Sequence, residues 1–237
     1  MNIIILENAE KKIVLPSGDR RARHITDILK ADRNTSLRVG VVGGLMGSAF
    51  INNITPDCVE LSCTFTDEPP PLLPVRLLVA AVRPIVAKRL LRDLTAAGIE
   101  KLVFFPAKLT EKSYLSSNIW KNNNYMEYVL HGCEQGIRTN YPDIQLAPSL
   151  KKAIELVSGD IRFICDENTR QESVSAQISA GIISLAIGPE RGWTEEERDM
   201  LLDNGYKNLS LGSGILRTET ACHVALGRII ERFSLAG

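Results

Sequence analysis

A proline-rich segment at residues 67–74, Asp-Glu-Pro-Pro-Pro-Leu-Leu-Pro, constrains the fold of this chain more than any other feature. Proline fixes φ and lacks a backbone N–H, so four prolines in eight positions oppose a helix or a central strand and favour a stiff, extended connector. The segment therefore predicts a boundary between two structural halves. A chain of 237 residues is long enough for a small domain joined to a medium-sized one.

The half before the proline segment has the pattern of β structure. Short apolar or alternating runs occur there, separated by turn-forming residues, at 2–6, 12–16, 36–42, 48–54 and 58–65. About five strands within 70 residues predict a small barrel, with one short helix around His24–Lys30. The glycine-rich run at 40–47 predicts a hairpin turn, because it lacks the Lys-Ser/Thr ending of a phosphate-binding loop.

After the proline segment, strand and helix patterns alternate. Apolar runs predict strands at 75–82, 101–106, 161–166, 183–188 and 208–212. Helices are predicted near 85–97, 117–131, 150–157, 194–204 and 218–233. This alternation indicates an α/β fold with a parallel sheet that helices cover on both faces. Ligands of such sheets bind beyond the carboxyl ends of the strands, so the site is expected there.

Composition excludes several classes of protein. The chain is 44% hydrophobic and 24% charged, as is usual for soluble globular proteins, and no run approaches the roughly 20 apolar residues that span a bilayer. Its amino terminus is too short and wrongly ordered for a secretory signal, so a cytoplasmic protein without a membrane partner is expected. The five scattered cysteines match neither zinc spacing nor a disulfide framework. Structural cysteines are favoured, with a nucleophilic one as the alternative.

The net charge of zero hides a local excess of base. Between Lys11 and Arg38 there are eight basic and three acidic residues. Such a segment either forms a phosphate-facing patch or is a solvated surface that happens to be basic.

The stretch 187–192, Ile-Gly-Pro-Glu-Arg-Gly, stands at the end of a predicted strand. Its glycines and proline suit a turn into a helix, and Thr194 with Glu197 three residues on fits a capping box. A well-made turn does not require Glu190 and Arg191, two long charged side chains at the carboxyl end of a strand.

A second glycine-rich turn, Leu-Gly-Ser-Gly, opens the stretch 211–221. Thr218 suits a helix N-cap, and the acidic Glu219 suits the first turn of the helix. Arg217 is unexpected, because a cation at a helix amino terminus opposes the dipole. It either serves an anionic or polar ligand or forms a salt bridge with Glu190 or Glu219.

Together, Ile-Gly-Pro-Glu-Arg-Gly-Trp-Thr-Glu-Glu-Glu and Leu-Gly-Ser-Gly-Ile-Leu-Arg-Thr-Glu-Thr-Ala resemble the paired signature of the bacterial 16S ribosomal RNA uridine-N3 methyltransferases, in the SPOUT superfamily. Residues 20–44 resemble that family's PUA-type RNA-binding barrel, and residues 83–114 the segment that opens its methyltransferase domain. Residues 131–142 resemble its central Glu-Gln…Arg…Pro stretch. The resemblance thus extends over most of the chain.

The resemblance implies a PUA-like β-barrel over residues 1–68, a linker at 69–74, and an α/β methyltransferase domain with a C-terminal trefoil knot over 75–237. It implies a homodimer that uses S-adenosylmethionine (SAM) to methylate N3 of a uridine in the RNA of the small ribosomal subunit. No metal is expected. The alternatives are a SPOUT enzyme for another RNA base or a ribose 2′-hydroxyl, and a non-catalytic RNA-binding protein.

The implied cofactor contacts all belong to these two motifs. They are Ile187, Gly188, Pro189, Glu190, Gly192, Leu211, Gly212, Ile215, Leu216, Thr218, Thr220 and Ala221. For catalysis, Arg217 is expected to stabilise charge on a uracil oxygen, with Glu190 or Glu219 as base or orienting group. Arg138 and Glu134 from the partner subunit are the alternatives. The expected RNA contacts share a positive charge and are Arg21, Arg23, Lys30, Arg33, Arg38, Arg83, Lys88, Lys108 and Lys112.

Four departures from the family pattern bear on the choice of target more than on the cofactor. Arg191 stands where many relatives have Gly, and Ser213-Gly214 replace a common Pro-Arg. Gly136-Ile137 replace Ser-Gly, and Ala97 replaces a Glu.

Overall fold

The computed structural model describes residues 2–166 and 181–234. In chain order the elements of these residues are β1 (Ile4–Leu6), β2 (Lys12–Pro16), α1 (Arg20–Arg23), β3 (Ser36–Val41), β4 (Met46–Ile54), β5 (Cys58–Asp67), β6 (Leu73–Ala80), α2 (Pro84–Ala97), β7 (Ile99–Phe105), α3 (Met126–Gly136), β8 (Asp143–Leu146), α4 (Leu150–Leu156), β9 (Ile161–Cys165), β10 (Ile183–Ile187), α5 (Glu195–Asp203), β11 (Lys207–Asn208) and α6 (Thr218–Ser234). In the part of the chain that is described, no helix is long and apolar enough to cross a membrane.

The chain divides into two compact units, of which the second is the larger. The first consists of Met1–Leu72, Thr95–Gly98 and Met126–Tyr141. The second consists of Leu73–Leu94, Ile99–Tyr125 and Pro142–Gly237.

The first unit contains a five-stranded sheet in the order β1-β3-β4-β5-β2, which is consistent with the small barrel that the sequence predicts. Only the β1–β3 pair is parallel, and the other neighbours are antiparallel. Val39, Ala49, Ile51 and Leu61 fill the core, and Ala49 and Ile51 alternate with exposed residues along β4, as one buried sheet face requires. The turn between β3 and β4 confirms the hairpin predicted in the 40–47 run.

The short helix of this unit begins earlier than predicted. Asp19 caps α1, because its carboxylate accepts a hydrogen bond from the Arg21 backbone N–H at 2.7 Å. A π-helical turn over His24–Ile28 follows α1. Ala22 and Ile25 are buried in the core of the first unit, which anchors both turns.

The second unit is built on a six-stranded sheet in the order β11-β9-β10-β6-β7-β8, and every neighbouring pair is parallel. This confirms the α/β class. The two central strands β10 and β6 are nearly continuous apolar runs, as burial on both faces demands. α2 ends where predicted, at Gly98 with φ +78°, a conformation that glycine adopts without strain.

Two predicted elements are wrong in extent. The helix predicted near 117–131 is replaced by 3-10 turns at Lys112–Ser116 and Asn118–Asn123, and α3 starts only at Met126. Asn122 and Asn123 take positive φ values of 51° and 60°, which are incompatible with a right-handed helix. Apart from glycine, asparagine is among the residues that adopt positive φ most readily. The strand predicted at 208–212 is the two-residue β11, because the chain leaves the sheet after Asn208.

The predicted capping box at α5 is confirmed, and it extends beyond the helix. The Glu197 carboxylate accepts hydrogen bonds from the Thr194 backbone N–H (3.1 Å) and from the Lys108 backbone N–H (2.8 Å), and the Thr194 hydroxyl accepts from the Glu197 N–H. Glu197 is only 4% exposed. One carboxylate therefore starts α5 and fixes the segment that follows β7.

We expect Glu197→Ala to lower the free energy of unfolding by about 2–4 kcal/mol, because it removes a cap and leaves the Lys108 N–H without a partner. Glu195→Ala, at an exposed position in the same helical turn, is the matched control and should cost less than about 1 kcal/mol. Chemical denaturation of both variants measures the difference. Equal costs would mean that Glu197 contributes only through the helix dipole.

Candidate functional site

A cavity opens in the second unit at the carboxyl ends of β9 and β10. Parallel neighbours end at the same edge of a sheet, so the turns that follow them meet there. Three stretches form its walls: Cys165-Asp166, the turn after β10, and the glycine-rich segment between β11 and α6. The lining residues are Cys165, Asp166, Ile187, Gly188, Pro189, Glu190, Gly192, Trp193, Leu209, Leu211, Gly212, Ser213, Gly214, Ile215, Leu216, Thr218 and Ala221.

The structure brings the predicted cofactor contacts together at this cavity. All of them line it except Thr220, which is exposed on α6. The expected contacts did not include six further lining residues, which are Cys165, Asp166, Trp193, Leu209, Ser213 and Gly214. Trp193 directly follows the first motif, and a buried tryptophan next to a ligand turn was the available signal; Leu209 carries no signal beyond its apolar side chain.

Trp193 holds the turn after β10 in place. Its indole N–H donates a hydrogen bond to the Cys165 carbonyl oxygen at 3.0 Å, and its ring stacks on Phe105 with centroids 6.0 Å apart. The ring also packs against Gly188, where a Cβ would lie 2.9 Å from the indole. Gly188 is therefore needed for packing inside the protein, a reason that differs from the close cofactor approach that the resemblance implies.

In contrast to Gly188, the glycines of the segment between β11 and α6 are not packed against other residues. Gly212 has a φ of +121°, and nothing lies within 4 Å of the position of a Cβ at Gly212 or Gly214. Their main chain is thus open rather than packed. A ligand could approach this backbone directly.

Thr218 does not cap α6 as predicted. It is the first residue of the helix, and its buried hydroxyl donates a hydrogen bond to the Gly188 carbonyl oxygen at 3.1 Å. This bond joins the start of α6 to the end of β10. The reason for the error is that the hydroxyl finds its partner 30 residues away instead of within its own helix.

Asp166 places a carboxylate in the cavity wall, and its charge is compensated. Its side chain is 1% exposed and is paired with Arg198 of α5. The hydrogen bond to Asp166 raises the pKa of Arg198, so the Arg198 guanidinium keeps its positive charge through neutral pH.

The charged residues of the motifs that are expected to act in catalysis differ in exposure. Arg217 and Glu190 are exposed, and Glu190 lines the cavity. Among residues 2–166 and 181–234, Arg217 forms no ion pair, so the salt bridge considered for it with Glu190 or Glu219 is absent. Glu219 has one buried carboxylate oxygen, Oε2, without a hydrogen-bond partner in the same part of the chain.

Glu134 and Arg138 belong to the first unit, where each has a local role. Glu134 is 3% exposed, and both its oxygens accept from the Arg20 guanidinium at 2.8 and 2.6 Å. Arg138 is 8% exposed, lies against Gly98, and donates to the Asn140 side-chain oxygen at 3.4 Å. Burial lowers the pKa of Arg138. Both residues are thus engaged within their own chain.

The predicted RNA contacts differ in exposure and in whether their charged groups already have a partner within the protein. Arg21 is half-buried and occupied, because it donates to both oxygens of Asp19 and to the Ile5 carbonyl oxygen. The Lys108 ammonium pairs with Glu196, and Arg33 donates to the Asn52 carbonyl oxygen. Lys88 is half-buried. The exposed members of the set are Arg23, Lys30, Arg33, Arg38, Arg83, Lys108 and Lys112.

The sequence matches a known family over most of its length. The family described as "RNA methyltransferase domain" matches residues 68–230. Ribosomal RNA small subunit methyltransferase E 1 of Borreliella burgdorferi is 31% identical over 225 residues, covering 93% of this chain and 94% of that protein. Ribosomal RNA small subunit methyltransferase E of Treponema pallidum is 32% identical over 241 aligned positions, covering 97% and 91%.

Solved structures share the fold. Ribosomal RNA small subunit methyltransferase E of Neisseria gonorrhoeae, bound to SAM, superposes with a TM-score of 0.74 at 21% identity, over 97% of this chain and 98% of that one. A Legionella pneumophila protein solved with the bound cofactor SAM gives a TM-score of 0.77 at 18% identity, over 97% of each chain. The chain therefore belongs to the RNA methyltransferase family that includes the bacterial ribosomal RNA small subunit methyltransferases E.

We expect the buried cysteines to be inert in the native protein. Burial raises the pKa of Cys165 and of Cys133 to about 12, and it also raises the pKa values of Cys63 and Cys222. Because these pKa values are raised, little of the reactive thiolate forms at these four cysteines at pH 8. Titration with a thiol reagent at pH 8 should modify only the half-buried Cys58 until denaturant is added. Rapid modification of Cys165 would contradict this burial.

Proposed function

We propose that this protein is a SAM-dependent methyltransferase that modifies N3 of a uridine in 16S ribosomal RNA. The observation that carries the proposal is the cavity at the ends of β9 and β10, which the two signature motifs line almost completely. Family membership and the names of the full-length relatives support both the reaction and the ribosomal RNA substrate. The resemblance of the motifs supports the choice of uridine N3.

The residues around the cavity suit SAM. Leu209, Leu211, Ile215 and Leu216 offer apolar surface for an adenine ring, and the open backbone at Gly212 offers hydrogen-bonding groups to its edge. When bound, the cofactor would supply a methyl group on a positively charged sulfur. The protein contributes mainly position, because direct transfer to a nucleophile needs little covalent help.

Uridine N3 carries a proton at neutral pH, and this proton must be removed before N3 can accept a methyl group. Arg217 and Glu190 are suited to assist its removal. Arg217, exposed and without an ion pair among the described residues, is free to donate hydrogen bonds to a uracil oxygen and stabilise the imide anion. Glu190 lines the cavity and would accept the proton. The unpartnered oxygen of Glu219 makes that residue the second candidate for the base.

Glu134 and Arg138 of a second copy of the chain remain alternatives with less support. Each is buried and engaged by a neighbour in its own unit.

The remaining parts of the proposal concern architecture. Residues 1–68 would act as a PUA-like RNA-binding domain, with 69–74 as linker, and residues 75–237 as a methyltransferase domain ending in a trefoil knot. The exposed bases Arg23, Lys30, Arg33 and Arg38 would contact phosphates, which position RNA without selecting a base. The active form would be a homodimer, with the active site near the subunit interface.

The product nucleoside tests the function directly. Purified protein, incubated with labelled SAM and small ribosomal subunits from a strain lacking it, should yield labelled 3-methyluridine after digestion of the RNA. Label in another nucleoside would keep the methyltransferase and overturn the uridine-N3 assignment. Absence of transfer together with absence of SAM binding would favour a non-catalytic RNA-binding protein.

We expect Arg217→Ala to lower kcat by roughly 100-fold, the typical effect of removing one donor to a developing anion. Its dissociation constant for SAM should stay near the wild-type value, because Arg217 does not line the cavity. Lys207→Ala removes a charge from an exposed position on β11 outside the cavity and serves as control. Turnover that is unchanged in Arg217→Ala would remove Arg217 from the mechanism.

A further inference from the structure

A second cavity in the same unit lies beside the first and has no role in the function proposed so far. It has a volume of about 420 Å³, within the range of roughly 300–1,000 Å³ that is typical of small-molecule sites. The end of β6, the segment after β7, and the turn after β10 enclose it. Its lining residues are Ala81, Val82, Arg83, Lys108, Leu109, Thr110, Glu111, Tyr114, Pro189, Glu190 and Arg191. We refer to it as the Arg83 pocket.

The Arg83 pocket and the candidate cofactor cavity share a wall. Pro189 and Glu190 line both of them. Strand register explains this, because Ile187 of β10 pairs with Cys165 of β9 on one side and with Val79 of β6 on the other. Methyl donor and acceptor must approach to about 3–3.5 Å for transfer, so an acceptor bound in an adjoining cavity is well placed.

Arg83 is one of three cations that line the pocket. It is exposed, and its hydrogen bond to Tyr114, followed by the negative charge of the nearby Glu190, raises the pKa of Arg83. A guanidinium has five N–H donors, so the contact with Tyr114 orients Arg83 and leaves donors for a ligand. Of the other two cations, Lys108 is paired with Glu196, and Arg191 forms no ion pair within residues 2–166 and 181–234.

The hydrogen-bonding pattern of the pocket matches uracil better than cytosine. Uracil presents a carbonyl oxygen, the N3–H and a second carbonyl oxygen along one edge. Arginine donors therefore suit its oxygens, and a carboxylate suits its N3–H. Cytosine would turn an amino group toward the cations and an N3 lone pair toward Glu190. A site built for one such pattern rejects the other strongly, because its polar groups are left unpaired.

We infer that the Arg83 pocket is the acceptor site and binds a single uridine nucleotide of the substrate RNA, splayed out of its stack. Arg83 donates to a uracil oxygen, Tyr114 positions Arg83, and Arg191 lies free to contact the phosphate. The inference rests on the proposed function. It assigns the pocket to the acceptor and explains the selection of uridine over cytidine by residues that the motifs alone did not single out.

Methyl transfer would take place where the two cavities adjoin, beside Glu190. The N3–H bond breaks and its proton passes to the Glu190 carboxylate. The electron pair left on N3 forms a bond to the methyl carbon of SAM, while the carbon–sulfur bond breaks and its electrons stay on sulfur. The products are 3-methyluridine, S-adenosylhomocysteine and a proton, which Glu190 releases to water.

Kinetics of four variants on unmethylated small ribosomal subunits test the assignment. We expect Arg83→Ala to lower kcat/KM by about tenfold or more, and Arg83→Lys to recover part of the loss, because a single cation replaces a planar fork. Tyr114→Phe keeps the ring and removes the hydroxyl, so it should lower kcat/KM by a smaller factor. Arg89→Ala, which removes an exposed charge of α2 outside both cavities, is the matched control and should resemble the wild type.

Two further measurements separate the possible failures. The dissociation constant for SAM should be unchanged in all four variants. The acceptor-site assignment would be overturned if Arg83→Ala also lost SAM binding, or if its kcat/KM equalled that of Arg89→Ala. Wild-type protein that transfers no methyl group would instead refute the proposed function itself. A decrease in kcat/KM in the Arg83 and Tyr114 variants, but not in Arg89→Ala, would support the pocket.

Competition by free nucleotides tests the choice of base. Uridine 5′-monophosphate should inhibit methyl transfer at concentrations about tenfold lower than cytidine 5′-monophosphate, and Arg83→Ala should remove this difference. Equal inhibition by the two nucleotides, or inhibition by neither, would overturn the uridine assignment of the pocket.

Discussion

The position of β10 between β9 and β6 is the constraint on which the site depends. Ile187 is hydrogen-bonded in register with Cys165 on one side and with Val79 on the other, so three parallel strands end in one row. The turns that follow these strands must then share one edge of the sheet. One register thus produces two adjoining cavities with Glu190 in their common wall.

Buried contacts hold the turns at this edge in fixed positions. Trp193 closes the turn after β10 against the end of β9, and the Thr218 hydroxyl ties the start of α6 to Gly188. Glu197 fixes both α5 and the segment after β7, which supplies part of the second cavity. Each contact uses a well-buried side chain, so little freedom remains to be lost when a ligand binds. The surface charges Glu190 and Arg217 stand on this rigid support.

The sequence predicted elements well where the decisive interaction is local. Hydrophobic patterns identified the strands except β8, the alternation of strands and helices indicated the parallel sheet, and the Thr194–Glu197 spacing identified a real capping box. The errors concern residues whose partners are distant in the chain. The Thr218 hydroxyl bonds to Gly188 rather than to its own helix, and Gly188 is small because of Trp193. The asparagines at 122 and 123 broke a helix that periodicity alone had favoured.

The sequence by itself determined the class of fold, the two signature motifs and, through them, the residues that gather at the cavity beyond β9 and β10. These follow from periodicity and from turn chemistry, which act over a few residues. Only the tertiary structure decided that Glu134 is engaged by Arg20 and that Arg217 forms no ion pair among the described residues. It alone brought Arg83 and Tyr114 to the same pocket wall as Glu190. The physical reason is strand order: pairing between segments about 100 residues apart sets which loops meet, and no local pattern encodes it.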